Sequence, residues 1–83
     1  MQVFPTVVNA GDQVTVRCSP DMPGQASIVI TDIAGREMGI VHNGCMTAGA
    51  SVHKFSIKDL ASGVYFVVMR QGSTQQLEKF VVR

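Results

Sequence analysis

The chain is short of charge, of cysteine and of long apolar runs. Only 16% of its 83 residues are charged, and seven Lys and Arg against six Asp and Glu leave a formal net charge of +1. The basic residues are scattered singly, so neither a nucleic acid nor an anionic membrane surface is indicated as a partner. No apolar run approaches the roughly 18 residues of a membrane-spanning helix. The first residues read as a strand and not as an export signal, so any such signal is expected on a longer parent protein.

Only two cysteines are present, Cys18 and Cys45, which is too few for a zinc site of the paired CxxC type. They leave two alternatives: one disulfide, which would stabilise the fold by roughly 3–4 kcal/mol on the chain-entropy model, or two separate buried thiols. Cys45 with His42 also leaves open a small thiol hydrolase, although no helix N-terminus is available to activate the thiol. His42 and His53 lack a third ligand, so the sequence predicts no metal site and no cofactor.

What the chain does contain is apolar sequence, 46% of its residues, arranged mostly with a period of two. The segments are short and are separated by turn residues every 8 to 12 positions, which is typical of an all-β sandwich or barrel. A chain of this length holds one domain, residues 1–83. We predict about seven strands in an antiparallel, Greek-key sandwich, at residues 3–8, 13–18, 26–31, 36–41, 51–57, 63–70 and 74–83.

Two local motifs support this prediction. Asp32-Ile-Ala-Gly35 fits a tight hairpin in which Asp32 opens a type I turn and Gly35 takes the left-handed position. The stretch from Leu60 to Tyr65 has the spacing of a tyrosine corner, in which the phenol bonds to backbone a few residues upstream. Gly63 supplies the backbone freedom that this turn needs. We therefore expect Tyr65 to serve the fold and not chemistry.

The candidate core is centred on residues 63–70, which are apolar on both faces, as in a central strand that is covered on both sides. Phe55, Leu60, Phe66 and Phe80 are expected to be core residues. Truncating any one of them is expected to cost roughly 3 kcal/mol or more.

The sheet edges are the part of a sandwich that is available to another chain. Pro5 cannot donate to a ladder, which marks residues 3–8 as an edge strand. Residues 74–83 are the second candidate, and pairing of either strand with a second copy would give a homodimer. The alternative is that the last strand is paired within its own sheet.

Four pieces of the sequence, taken in order, resemble the C-terminal sorting domain of the type IX secretion system of certain Gram-negative bacteria. The pieces span nearly the whole chain and end in a basic and apolar terminus. They are Phe4-Pro5 with Asn9-Ala-Gly-Asp12 and Val14-Thr-Val16, then Ile30-Thr-Asp-Ile-Ala-Gly-Arg-Glu37, Leu60-Ala-Ser-Gly-Val-Tyr-Phe66, and Glu78-Lys-Phe-Val-Val-Arg83.

The resemblance implies an immunoglobulin-like, non-catalytic domain that ends a larger secreted protein and folds in the periplasm. It implies recognition by the outer-membrane translocon and its shuttle protein, then removal by a cell-surface sortase that attaches the cargo to a lipopolysaccharide. The fold-motif residues would be Pro5, Asp32, Gly35, Arg36, Leu60, Gly63 and Tyr65. The stretch read by the translocon would be Lys79, Phe80, Val81, Val82 and Arg83. The alternative function is that of a generic bacterial immunoglobulin-like spacer or adhesin domain.

Overall fold

The computed structural model of the chain describes residues 1–20 and 22–83. These residues form strands joined by short turns, and no helix among them is long and apolar enough to cross a membrane. The strands are β1 (Gln2–Phe4), β2 (Val7–Val8), β3 (Gln13–Cys18), β4 (Gly24–Asp32), β5 (Glu37–Met46), β6 (Ser51–Ser56), β7 (Gly63–Gln71) and β8 (Thr74–Val82).

The strands form two sheets that pack face to face. The three-stranded sheet has the order β1-β3-β6, and the five-stranded sheet has the order β2-β8-β7-β4-β5. The chain changes sheet at every step from β1 to β4, and again between β5 and β6 and between β6 and β7, which is the arrangement of an immunoglobulin-like sandwich. The predicted all-β, immunoglobulin-like fold is therefore confirmed.

The core lies between the two sheets and is built from the alternate residues of each strand that point inward. Val14 and Val16 of β3 face Ile28 and Ile30 of β4, and all four side chains are fully buried. Phe80 of β8 is the largest fully buried side chain. Because the strand period is two, the other residues of each strand lie on the outer faces of the sandwich.

Two details of the strand count differ from the prediction. The single first strand that was expected at residues 3–8 is two strands, because the chain passes from the three-stranded to the five-stranded sheet at Pro5. Each half lies at the edge of its sheet, as the proline indicated. The second half, β2, runs parallel to β8, so the sandwich is not wholly antiparallel.

The β4–β5 hairpin is longer than the sequence predicted. The stretch from His42 to Gly49 was expected to be a connection, but β5 continues to Met46 and pairs with β4 as far as Gly24. Glycine in this stretch indicated a turn, but pairing with β4 keeps it in a strand. Gly44 adopts a φ of +145° and lies opposite Ala26 in the ladder. Cys45 therefore lies in a strand and not in a loop.

The central strand β7 is covered on one face only, contrary to the prediction. Tyr65, Val67 and Met69 point into the core, whereas Phe66 lies on the outer face and is only half-buried. A two-layer sandwich has no third layer to cover that face. Phe55 is also half-buried, at the border of the core, while Leu60 is buried as expected.

Candidate recognition surface

The Asp32 hairpin is held by its own side chain. The Asp32 carboxylate accepts the backbone N–H groups of Ala34 and Arg36, each at 2.9 Å, and the Arg36 Nε–H at 2.8 Å. Gly35 has a φ of +85° and donates its N–H to the Asp32 carbonyl oxygen at 3.0 Å. The bond from the Arg36 backbone, with the Arg36 side chain beside it, lowers the pKa of Asp32. Since all its partners are local, this motif serves to close the β4–β5 turn.

The tyrosine corner joins the entry of β7 to the core. The Tyr65 hydroxyl donates to the carbonyl oxygen of Ala61 at 2.6 Å, and its ring stacks on Phe80 with ring centroids 5.7 Å apart. Gly63, with a φ of +156°, begins the strand, and Leu60 is buried beneath the turn. These residues therefore fix the start of β7 and, through Phe80, the position of the C-terminal strand.

The C-terminal stretch presents its side chains to two different environments. Phe80 and Val82 are buried between the sheets, with exposed fractions of 0% and 2%. Lys79 and Arg83 are exposed, and Val81 is half-buried on the outer face. A partner that binds the folded domain can therefore touch Lys79, Val81 and Arg83, whereas the other two side chains hold the strand in place.

Backbone hydrogen bonds occupy the outward edge of β8 only at its end, while beside its earlier part the Met1 ammonium donates to the Gln76 side chain at 2.9 Å. Val81 donates its N–H to the carbonyl oxygen of Thr6 at 2.8 Å. Arg83 donates its N–H to the carbonyl oxygen of Val8 at 2.9 Å. Because backbone groups of alternate residues point to the same side of a strand, this edge also carries those of Gln75, Leu77 and Lys79.

No strand among the described residues pairs with that earlier part of β8. The residues that precede β2 do not continue along this edge. Pro5 has no N–H to extend the ladder, and β1, which comes before it in the chain, belongs to the other sheet. Thus the last strand is fully paired with β7 on one side, while half of its other side is open.

The outer face of the five-stranded sheet carries an apolar row across four strands. The row runs from Ile40 on β5 through Val29 on β4 and Val68 on β7 to Leu77 on β8, as successive cross-strand neighbours. Its two central members are buried by their neighbours, whereas Ile40 and Leu77 remain 56% and 52% exposed. Phe66 lies beside the row. This face is therefore an apolar surface that borders the open edge of β8 at Leu77.

The two histidines, distant in sequence, meet where β5 faces β6. The ring centroids of His42 and His53 are 5.2 Å apart, and the His42 Nε2 atom is buried without a hydrogen-bond partner. Burial and the nearby His42 lower the pKa of His53. Ser51 Oγ lies 3.2 Å from His53 Nε2 and 3.3 Å from Cys18 Sγ. Sequence reasoning missed this cluster, since only the pairing of β3 with β6 and the packing of β5 against β6 bring its members together.

The two cysteines are free thiols in the structure and lie in different sheets. Cys18 is buried in the core and Cys45 is exposed on β5. The structure therefore contains two separate thiols and no disulfide between them. Of the two, only Cys18 is buried, as the alternative of two buried thiols predicted. Cys45 and His42 are three positions apart in one strand and point to opposite faces, so this thiol and this imidazole do not lie side by side.

A cleft of about 720 Å³ opens at one end of the sandwich, between the β3–β4 connection and the β7–β8 turn. Its described lining consists of methionine, amide, hydroxyl and backbone groups, with no carboxylate, imidazole or thiol side chain. Within residues 1–20 and 22–83, no group of three or more His, Cys, Asp or Glu could hold a metal ion.

Comparison with known proteins agrees with the fold. The model of a family described as a secretion system C-terminal sorting domain matches residues 2–83, essentially the whole chain. A comparison with curated proteins finds no significant match. Neither the match nor the sandwich favours a generic spacer or adhesin domain.

A domain of this family carries a type IX secretion signal, which directs export through the periplasm to the outer membrane, the cell surface or the medium. The four motifs that carry the resemblance lie at the hairpin, the tyrosine corner and the two terminal segments of one sandwich. The chain therefore belongs to the family of secretion system C-terminal sorting domains and is a sorting signal of the type IX secretion system.

Proposed function

We propose that the outer-membrane translocon recognises the folded domain through the outward side of its C-terminal strand, at Lys79, Val81 and Arg83. The observation that carries this proposal is the alternation of burial along β8. The two charged side chains are exposed, whereas Phe80 and Val82 are in the core. In this proposal the five-residue stretch has two roles, contact with the partner and anchorage of the strand.

Charge supports the same side of the domain. Neither Lys79 nor Arg83 takes part in a salt bridge with any residue that the structure describes. Unpaired cations beside the apolar outer face suit a partner surface that is apolar with acidic groups at its rim. The shuttle protein of the secretion system would be the first such partner in the periplasm, before transfer to the translocon.

The domain would act as a non-catalytic unit, residues 1–83, at the end of a larger exported protein. The described part of the cleft lining holds no acid, base or thiol side chain, which supports this non-catalytic role, as does the separation of Cys45 from His42. A cell-surface sortase would then separate cargo from signal. A homodimer through an edge strand stays a prediction, since pairing with β7 occupies only one side of the C-terminal strand.

The proposal is tested by export of a reporter protein fused upstream of residues 2–83 in a bacterium that has this secretion system. The test variant is Lys79→Ala/Arg83→Ala. The matched control is Arg17→Ala/Lys54→Ala, which removes the same charge from two exposed positions of the three-stranded sheet. Surface-exposed and periplasmic reporter are quantified for each fusion, and each isolated domain is checked for folding by circular dichroism.

We expect the test variant to fold and to leave the reporter in the periplasm, while the control is exported like the unaltered domain. Phe80→Ala provides a reference for loss of export through unfolding, because it empties a fully buried site at a cost of about 3–5 kcal/mol. Equal export of the folded test variant and the control would show that recognition lies elsewhere on the domain.

A further inference from the structure

We infer that the open edge of β8, at Gln75, Leu77 and Lys79, is the docking site for an extended strand of the export machinery, which pairs with it by β-augmentation. This inference rests on the proposed function and specifies how the partner binds. The edge offers N–H and C=O groups at alternate residues, and a strand laid along it would satisfy them as a ladder.

The edge is regular over its whole length. The pairing of β7 with β8 continues from the Gly63–Val82 pair to the Gln71–Thr74 pair without a shift in register. A continuously paired strand without a bulge holds its outward backbone groups at constant spacing, which is what an incoming strand requires. β2 already occupies the far end of the same edge and shows that its geometry accepts a strand.

The other edges of the sandwich are less suitable. β1 has three residues and β2 has two, which is too short for a stable added strand. The pairing of β4 with β5 shifts register twice, so β5 is bulged, and bulges protect an edge from further pairing. β6 lies against β5, where Phe55 packs on Gly39 and His53 meets His42.

The side chains beside the edge define the chemistry of the partner strand. Leu77 is 52% exposed and ends the apolar row, and Lys79 lies two residues along on the same outer face, without an acidic partner among the described residues. An added strand places every second side chain on that face. The occupant is therefore a strand with an apolar residue beside Leu77 and an Asp or Glu two positions away, beside Lys79.

The test removes one edge N–H without changing the paired side of β8. Leu77→Pro deletes a donor that faces the open edge and places a ring there, which edge strands tolerate. Leu77→Thr changes the side chain at the same position but keeps the N–H, and so it is the matched control. Gln75→Pro repeats the deletion at a second edge position in case the first variant does not fold. Each is measured as the same reporter fusion, with thermal unfolding of the isolated domain.

We expect the folded proline variants to reduce surface reporter by about fivefold to tenfold, which corresponds to one lost hydrogen bond, and the Thr variant, which loses only the apolar side-chain contact, to reduce it clearly less. Folded proline variants that are exported normally would overturn the inference. The proposed function would survive that result if Lys79→Ala/Arg83→Ala still blocks export. A dimer of the unaltered domain that Leu77→Pro dissociates, with export unchanged, would assign the edge to a second copy and likewise overturn it.

Discussion

Removal of the phenolic hydroxyl of Tyr65 is expected to destabilise the domain by about 1 kcal/mol. The hydroxyl donates to the Ala61 carbonyl oxygen at 2.6 Å, while the ring is 95% buried against Phe80 and the rest of the core. Tyr65→Phe removes the hydrogen bond and keeps the ring. Ala61 is exposed, so water can solvate its carbonyl oxygen in the variant. The loss should therefore lie near the net value of one hydrogen bond and well below the ~3 kcal/mol of a buried, unsatisfied group.

Thermal and urea unfolding followed by far-UV circular dichroism would measure this loss. The chain has one Tyr and no Trp, so intrinsic fluorescence cannot follow the variant. For a domain of this size, 1 kcal/mol lowers Tm by about 4–8 °C. Tyr65→Leu is the matched comparison, because it also removes the stacked ring and should cost about 1–3 kcal/mol more. A Tyr65→Phe domain with unchanged stability, or one as unstable as Tyr65→Leu, would refute this division between hydroxyl and ring.

Three further changes test other contacts of the sandwich. Gly39→Ala would place a Cβ 2.5 Å from the ring of Phe55, and urea unfolding should show a loss of about 1–3 kcal/mol that Gly39→Ala/Phe55→Leu partly restores. His53 has a lowered pKa in the folded state, so the unfolded chain binds more protons at this residue. The stability of the domain should therefore fall as the pH drops below 6.5, the ordinary pKa of histidine. His53→Gln should remove this dependence of stability on pH between pH 7.5 and 5. Asp32 also has a lowered pKa in the folded state, so its contribution to stability is present above pH 3.8 and is lost as the pH falls below that value. Asp32→Asn should therefore flatten the acid limb of the curve of stability against pH.

The turns could be predicted from the sequence because their chemistry is local. Asp32 contacts residues two and four positions along the chain, and Tyr65 contacts a carbonyl group four positions back. Such contacts form in any fold that allows the turn, so spacing alone identifies them. The strand positions followed from period two for the same reason, although the end of β5 did not, since only its pairing with β4 extends it past Gly44.

The sequence by itself determined that this chain is an all-β sandwich and, through four ordered motifs, the family to which it belongs. Only the tertiary structure decided which residues of the terminal stretch can meet a partner, because the burial of Phe80 and Val82 depends on a second sheet. It also decided that Phe66 faces outward, that His42 meets His53, and that half of the edge of β8 is open. These features arise from strand pairing and sheet packing between residues far apart in the chain, for which local spacing carries no signal.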